Sequence, residues 1–307
     1  MADGVFRIGE LSRRTGLSPD VIRAWERRYG LLQPGRTPGN LRMYSVEDIS
    51  RLRLMQHYLA RNIPAARAAR LVHEAQTAAH DRNPGIPAGD VRRALATLRD
   101  SLERYDDGPA DRVLERLLAL FAPGAVLRDV VLPYLRELGE RWERGEATVA
   151  QEHFATSFLE AWMLALARGW GRTGRRRAVL SCVPGERHVL GLIAFGLAVH
   201  ELGWRVTYLG ADTPLDAVEH AADALAPDAI VLAAALPDPL AEVGDALAAL
   251  ARRHPVALGG AAAARARAPW SASRVLPTDP LVAAQALTLH DPRRAEEGGR
   301  PERPAPA

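Results

Sequence analysis

One strand-to-loop-to-helix step does most to limit what this chain can become. Arg177 to Val183 reads as a buried strand, Pro184-Gly185-Glu186-Arg187-His188 interrupts it, and an apolar helix runs from His188 to Leu202. A short apolar run, a turn and a longer apolar helix make one unit of a parallel α/β fold. The alternation repeats, with strands expected at Ala178 to Val183, Val206 to Leu209, Ala229 to Leu236 and Val256 to Leu258, and a further helix from Leu240 to Arg252. This predicts a doubly wound, Rossmann-like domain over residues 175–290. Ligands of such sheets sit beyond the carboxyl ends of the strands, so His188 is placed to be a metal ligand. Glu186 is placed to take the other ring N–H and fix the tautomer. Gly191 gives a bulky planar ligand close access to the backbone. Small-residue turns at 210–214, 233–236 and 259–261 leave a slot for a long ligand tail.

At 307 residues with 48% apolar content, the chain has room for two or three domains. Its single cysteine, Cys182, excludes a disulfide framework and predicts the cytosol. No run reaches the roughly 18 apolar residues of a membrane span, and Met1 to Arg7 lacks the basic and apolar regions of a signal peptide. A cytoplasmic protein without a membrane partner is expected. Charge is unevenly spread: residues 1–72 carry 13 Arg against six acidic residues, net +7, in a chain whose total is +3. That describes a polyanion-binding head on a near-neutral body.

Within residues 1–75, Ile8 and Leu11 begin a helical pattern, Gly16 ends it, and Ser18-Pro19 supplies an N-cap with proline at the first helical position. Two short helices about a glycine turn make a helix-turn-helix. The second carries Arg23, Arg27 and Arg28 beside Trp25 and Tyr29, a basic face suited to the major groove, while Val21, Ile22 and Trp25 read as core. A turn-rich stretch from Gly30 to Tyr44 reads as a wing, and Ser45-Val46-Glu47-Asp48 as a capped helix start. Arg36, Arg42 and Tyr44 are expected to reach phosphates from the wing, and Arg13 from the first helix. Arg-Ala-Trp-Glu-Arg-Arg-Tyr-Gly and Arg-x-x-x-Asn-x-Arg-x-Tyr are both present, and through them residues 6 to 73 resemble the DNA-binding domain of the MerR family of transcription regulators. The resemblance implies a winged helix-turn-helix that binds double-stranded operator DNA. Residues 76–89 read as a polar, Pro-containing linker rather than the long dimerisation helix usual in that family. A homo-oligomer is nevertheless expected, because paired winged helices read two half-sites.

Residues 90–172 carry apolar positions at helical spacing, with breaks at 106–109, 123–124 and 145, which predicts a four-helix bundle. Trp142, Val149, Glu152 and His153 flank the last turn as Trp-x9-Glu-His. Joined to Glu186-x-His188-x-x-Gly191, this pattern resembles the cobalamin-binding domain of the CarH and LitR group of photoreceptor repressors, so the resemblance extends from residue 6 to about 285. It implies adenosylcobalamin as cofactor, with Trp142, Val149, Glu152 and His153 around the adenosyl group, His188 on cobalt from below, and Gly259-Gly260 beside the nucleotide tail. It also implies a repressor that binds its operator in the dark as a tetramer, a dimer of dimers, and is released by light. Arg187 and Asp212 are placed to pair across a subunit contact.

The chain departs from that group at two positions. Ala234 stands where a Ser/Thr-x-Leu turn carries a hydroxyl, removing a hydrogen bond worth about 1 kcal/mol, and Glu143 stands where CarH-type proteins can carry a histidine after the tryptophan. The same residues leave open a light-independent cobalamin or tetrapyrrole sensor, a corrinoid methyl carrier, and a DNA-architectural scaffold. A carrier, which is an enzyme component, has no use for a basic winged helix. The Pro-, Gly- and charge-rich tail, residues 291–307, is expected to be disordered.

Overall fold

The computed structural model describes residues 7–32, 34–36, 41–44, 46–60, 63–82, 85–171, 174–265 and 274–289, without the side chains at 14, 36, 46, 47, 49, 50, 53, 57, 75–82 and 289. The expected tail at 291–307 lies outside these residues.

The head begins with α1 (Ile8–Thr15) and α2 (Pro19–Tyr29). Gly16 closes α1 in the left-handed conformation, φ +69°, and its N–H donates to the Ser12 carbonyl. Ser18 caps α2 by accepting from the Val21 N–H at 3.3 Å, with Pro19 following. Both signals are local, which is why they read correctly from sequence. Strands β1 (Gly35–Arg36) and β2 (Arg42–Met43) pair antiparallel as the wing, and α3 (Val46–Leu59) and α4 (Ala65–Arg82) complete the head. Leu11, Ile22, Leu31, Leu52, Met55 and Tyr58 are buried together at its centre.

The helix expected from His188 begins at Leu190, and that expected from Leu240 to Arg252 is two, Pro237–Glu242 and Gly244–Arg253, parted at Val243. Two further boundaries differ from expectation for a clear physical reason. Residues 76–82, expected in a linker, continue α4 as helix to Arg82, because Ala75 to His80 is rich in good helix formers. The connection to α5 (Ala88–Leu102) is therefore short, and Ile86 within it is buried in the body and donates its N–H to Asp129. The second concerns Ala229 to Leu236. Strand β5 (Ala229–Ala233) stops three residues earlier, since Ala235 and Leu236 point their N–H groups at the Glu186 carboxylate instead of a neighbouring strand.

The bundle comprises α5, α6 (Asp107–Leu120), a third helix and α9 (Val149–Leu166). The third is built from α7 (Pro123–Val126), a π-helical turn (Leu127–Val131) and α8 (Leu132–Glu143). The widened turn directly precedes Pro133, which has no N–H to continue the α-helical ladder. Thr148 and Gln151 form a reciprocal capping box at the start of α9.

The sheet is parallel, in the order β4 (Trp204–Gly210), β3 (Arg176–Cys182), β5, β6 (Val256–Gly259), β7 (Arg274–Val275). The first strand is therefore flanked by the second and third, which makes the gap between β3 and β5 the switch point of a doubly wound sheet. On one face, α10 (Leu190–Glu201) is buried from Leu192 to Val199 between the sheet and the bundle, so bundle and sheet share one core. On the other, α11 (Leu215–Leu225), α12 (Pro237–Glu242), α13 (Gly244–Arg253) and α14 (Ala261–Arg265) cover a second core. The last helix, α15 (Pro280–Leu289), packs along α10.

Candidate functional site

The loop after β3 crosses the switch point, and Glu186 is the residue that holds it there. Its side chain is 0% exposed. One carboxylate oxygen accepts from the His188 N–H at 2.9 Å and lies 2.6 Å from His188 Nδ1. The other accepts from the N–H groups of Ala235 at 2.7 Å and Leu236 at 3.0 Å, in the loop after β5. One side chain thereby ties together two loops that are about fifty residues apart. Burial pushes the Glu186 carboxyl up, but the N–H donors of His188, Leu236 and Ala235 outweigh it and hold the group below the ordinary carboxylate range. It is an anion at neutral pH.

A carboxylate only accepts, so in the neutral ring the His188 proton sits on Nδ1 and Nε2 keeps its lone pair. The imidazole is 65% exposed. It stands at a cavity of about 230 Å³ walled by Gly191, Leu192, Phe195, Val231, Ala233 to Ala235, Gly259 to Ala261, Leu276 to Thr278, Pro280 and Ala283. Apolar walls with one oriented nitrogen suit a flat, largely apolar ligand that carries its own metal. Among the described residues no three His, Cys, Asp or Glu side chains converge on one point, so a bare cation finds no cage. Beneath the loop, burial pushes the Cys182 thiol up to about 12, leaving it protonated and inert.

The three glycines differ in what they do. A Cβ at Gly191 or Gly259 would meet nothing within 4 Å, so both leave open space toward the cavity. At Gly260, with φ +95°, a Cβ would lie 2.2 Å from the Ala234 carbonyl oxygen. Gly260 thus permits two loops to touch, a packing role that a ligand-based reading of Gly-Gly misses.

The bundle corner is built more openly. Trp142 near the end of α8 is 51% exposed and Val149 at the start of α9 is 57% exposed. His153 is also exposed, its Nε2 3.6 Å from Glu152 Oε2. The tight turn between α8 and α9 brings these four residues to one corner. Among the described residues no hydrogen bond or ion pair joins that corner to the His188 loop. Arg187 and Asp212 are both exposed, but the Asp212 carboxylate already accepts from the Gly185 N–H at 2.7 Å, and the Asp212 N–H donates to the Glu186 carbonyl at 2.9 Å. Asp212, in the loop after β4, is first of all a brace for the His188 loop after β3.

In the head, Arg13, Arg23, Arg27 and Arg28 are exposed on α1 and α2, with Arg28 stacked over the Tyr29 ring at 5.9 Å. Arg42 on the wing is exposed and its Nε donates to Glu26 Oε1 at 2.9 Å. The expected phosphate contact of Tyr44 is corrected: Tyr44 is 0% exposed and donates its hydroxyl to Glu26 Oε2 at 3.0 Å. Burial, then the Glu26 hydrogen bond, pushes its phenol well up, so it stays a donor. Its ring is core, and Glu26 is the residue that locks wing to α2. The side chain of Arg36 lies outside the described residues. Also unforeseen were Leu276 to Thr278, Pro280 and Ala283, which wall the cavity from the far end of the chain and carry no local motif.

Comparison with known proteins covers most of the chain. Residues 6–75 match the MerR HTH family regulatory protein model, and residues 94–167 and 176–270 match two B12 binding domain models. The HTH-type transcriptional repressor CarH of Myxococcus xanthus is 34% identical over 272 residues, 86% of this chain and 91% of that protein. The repressor CarA of the same organism is 32% identical over 267 residues, 83% and 86% respectively. The monomethylamine corrinoid protein of Methanosarcina barkeri superposes with a TM-score of 0.52 at 17% identity, over 64% of this chain and 98% of that one, a likeness of fold. No helix among the described residues is long and apolar enough to cross a membrane.

Proposed function

Since the chain belongs to the cobalamin-binding MerR-family transcriptional regulators, we propose that it is a repressor that senses light through adenosylcobalamin, binding operator DNA as a dark tetramer and leaving it on illumination. The observation that carries this reading is His188: its Nε2 is free, its ring is fixed by Glu186, and it stands at an apolar cavity in a chain with a basic winged head. Bound adenosylcobalamin supplies a cobalt–carbon bond that light can break. The protein's own part is positional. His188 would hold the cobalt through Nε2, Glu186 keeps the ring oriented, and Gly191, Gly259 and the alanine walls would make room for the macrocycle and its tail. Trp142, Val149, Glu152 and His153 cover the upper side. With Trp142, Val149 and His153 exposed and Glu152 half-buried, this corner would repack according to what covers it, and that repacking would bias one assembly state against another. Arg187 contributes to the subunit contact, with Asp212 as its partner.

On the DNA, Arg23, Arg27, Arg28 and Tyr29 line the recognition helix while Arg13, Arg36 and Arg42 hold phosphates. Such a protein acts in the compartment that holds the operator, the cytoplasm. Arg23→Ala is expected to weaken operator binding and leave the cofactor spectrum unchanged. The test of the whole reading is size-exclusion chromatography with absorbance spectra after adding adenosylcobalamin, in the dark and after green light. A larger dark species that collapses on illumination is expected. Binding without a light-dependent size change replaces the photoreceptor by a cobalamin-level sensor. Absence of binding overturns both.

A further inference from the structure

Helix α15 belongs by sequence to the cofactor-binding body, yet one of its faces is buried in the DNA-binding head. Ala286 is 0% exposed and sits in the same apolar cluster as Leu52, Met55 and Tyr58 of α3, with Val282 packed against that cluster. Residues four apart share a helix face, so Val282 and Ala286 form one small apolar strip. The adjoining face carries Ala283, Ala284 and Leu287, all buried in the body's core.

The helix is held firmly enough to act as a mount. Asp279 caps it, accepting from the N–H groups of Leu281 at 3.0 Å and Val282 at 3.2 Å, and pairs with Arg136 of α8 at 3.3 Å. At the other end the Trp204 indole donates to Thr288 Oγ1 at 3.0 Å, and Arg274 donates to the Ala286 carbonyl. Pro280 and Ala283 of the same helix wall the cavity beside His188. The short connection from α4 to α5, anchored by Ile86 on the body, keeps the head within reach of this mount.

We propose that the Val282 and Ala286 face of α15 is the docking surface for the DNA-binding head of the same chain, received by α3. Docking through α3 leaves Arg23, Arg27 and Arg28 of α2 open to DNA. It fixes the recognition helix relative to the cofactor cavity, so one helix wall serves ligand and head together. Small residues suit this face because they let two helices approach closely.

The experiment is amide hydrogen exchange with small-angle scattering on the full chain, alone and with adenosylcobalamin in the dark. In the wild type, slow exchange is expected in peptides covering 51–59 and 280–289. Ala286→Glu should speed exchange in 51–59 at least tenfold and raise the radius of gyration, while peptides around 184–191 stay unchanged. If that variant fails to fold, Val282→Ser is read in the same way, with a smaller acceleration expected. Unchanged protection of 51–59 in a folded Ala286→Glu, or fast exchange there in the wild type, overturns the docking. With adenosylcobalamin, the wild type should gain protection in 274–283 and 51–59 together, and Ala286→Glu only in 274–283. Gain in 51–59 that survives the substitution also overturns it. A chain that binds no adenosylcobalamin sinks the cofactor reading alone, because the ligand-free exchange still reports the docking.

Discussion

His188 and His153 are the two imidazoles of the proposed cofactor site, and their surroundings are built on opposite plans. His188 sits on a loop whose position is dictated by a buried carboxylate receiving three backbone N–H groups, two of them from another loop. His153 sits on an exposed helix face one turn after Val149, with a long contact to Glu152 as its marked neighbour. A group that must bind a metal in one orientation benefits from being set beforehand, since ordering it on binding costs entropy. A corner that must respond to loss of a ligand benefits from being free to move. On the proposed function, the contrast gives the His188 loop the part of holding the cofactor and the bundle corner the part of signalling.

The strongest way to break that contrast is His188→Ala. Adenosylcobalamin affinity should fall by more than the roughly 100-fold reached when only an outer partner of a ligand is lost, with an altered spectrum in a titration. Unchanged affinity and spectrum would take the metal away from the rigid loop. Glu186→Gln should come next, weakening binding by about 10- to 100-fold. It should also destabilise the fold by about 1–3 kcal/mol, because an amide cannot satisfy every N–H now served by the carboxylate. Glu186 titrates lower folded than unfolded, so its contribution is complete above the ordinary glutamate value of about 4.3 and disappears as pH falls below it. Acid unfolding of Glu186→Gln should accordingly depend less on pH in that range than wild type, and identical acid profiles would show that the carboxylate does not hold the loop.

Gly260→Ala and Gly191→Ala sharpen the comparison within the rigid half. The first puts a methyl against the Ala234 carbonyl at a positive φ and should cost about 1–3 kcal/mol in thermal or urea unfolding. The second meets open space in α10 and should leave stability level or raise it by up to about 1 kcal/mol, while weakening cofactor binding. Equal effects on stability would erase the division between packing and access. The smallest stability effect is expected at the exposed corner. Trp142→Ala should change unfolding free energy by no more than about 0.5 kcal/mol, because half the side chain is already in water. It should nonetheless abolish the ligand-dependent change in size, and retention of that change would move the signal away from the corner.

Much of this molecule is legible in its residues because the governing interactions are local. Gly16, Ser18 and Pro19 punctuate the head through bonds that span a few residues, and strand-to-helix alternation marks the sheet because each element must bury its own apolar face. Glu186 two residues from His188 is likewise a short-range geometry, so the oriented imidazole can be anticipated. Tyr44 could not be placed that way. A tyrosine on a wing looks like a phosphate contact until the fold carries Glu26, eighteen residues away, to its hydroxyl. The extent of α4 followed from helix propensity outweighing a polar composition. The end of β5, the two distinct duties of Gly259 and Gly260, and the burial of Ala286 in the head all depend on which distant backbone arrives alongside. Backbone N–H groups and methyl-sized gaps leave no mark in a residue pattern, because nearly every residue offers the same donor, and proximity alone selects the one that is used.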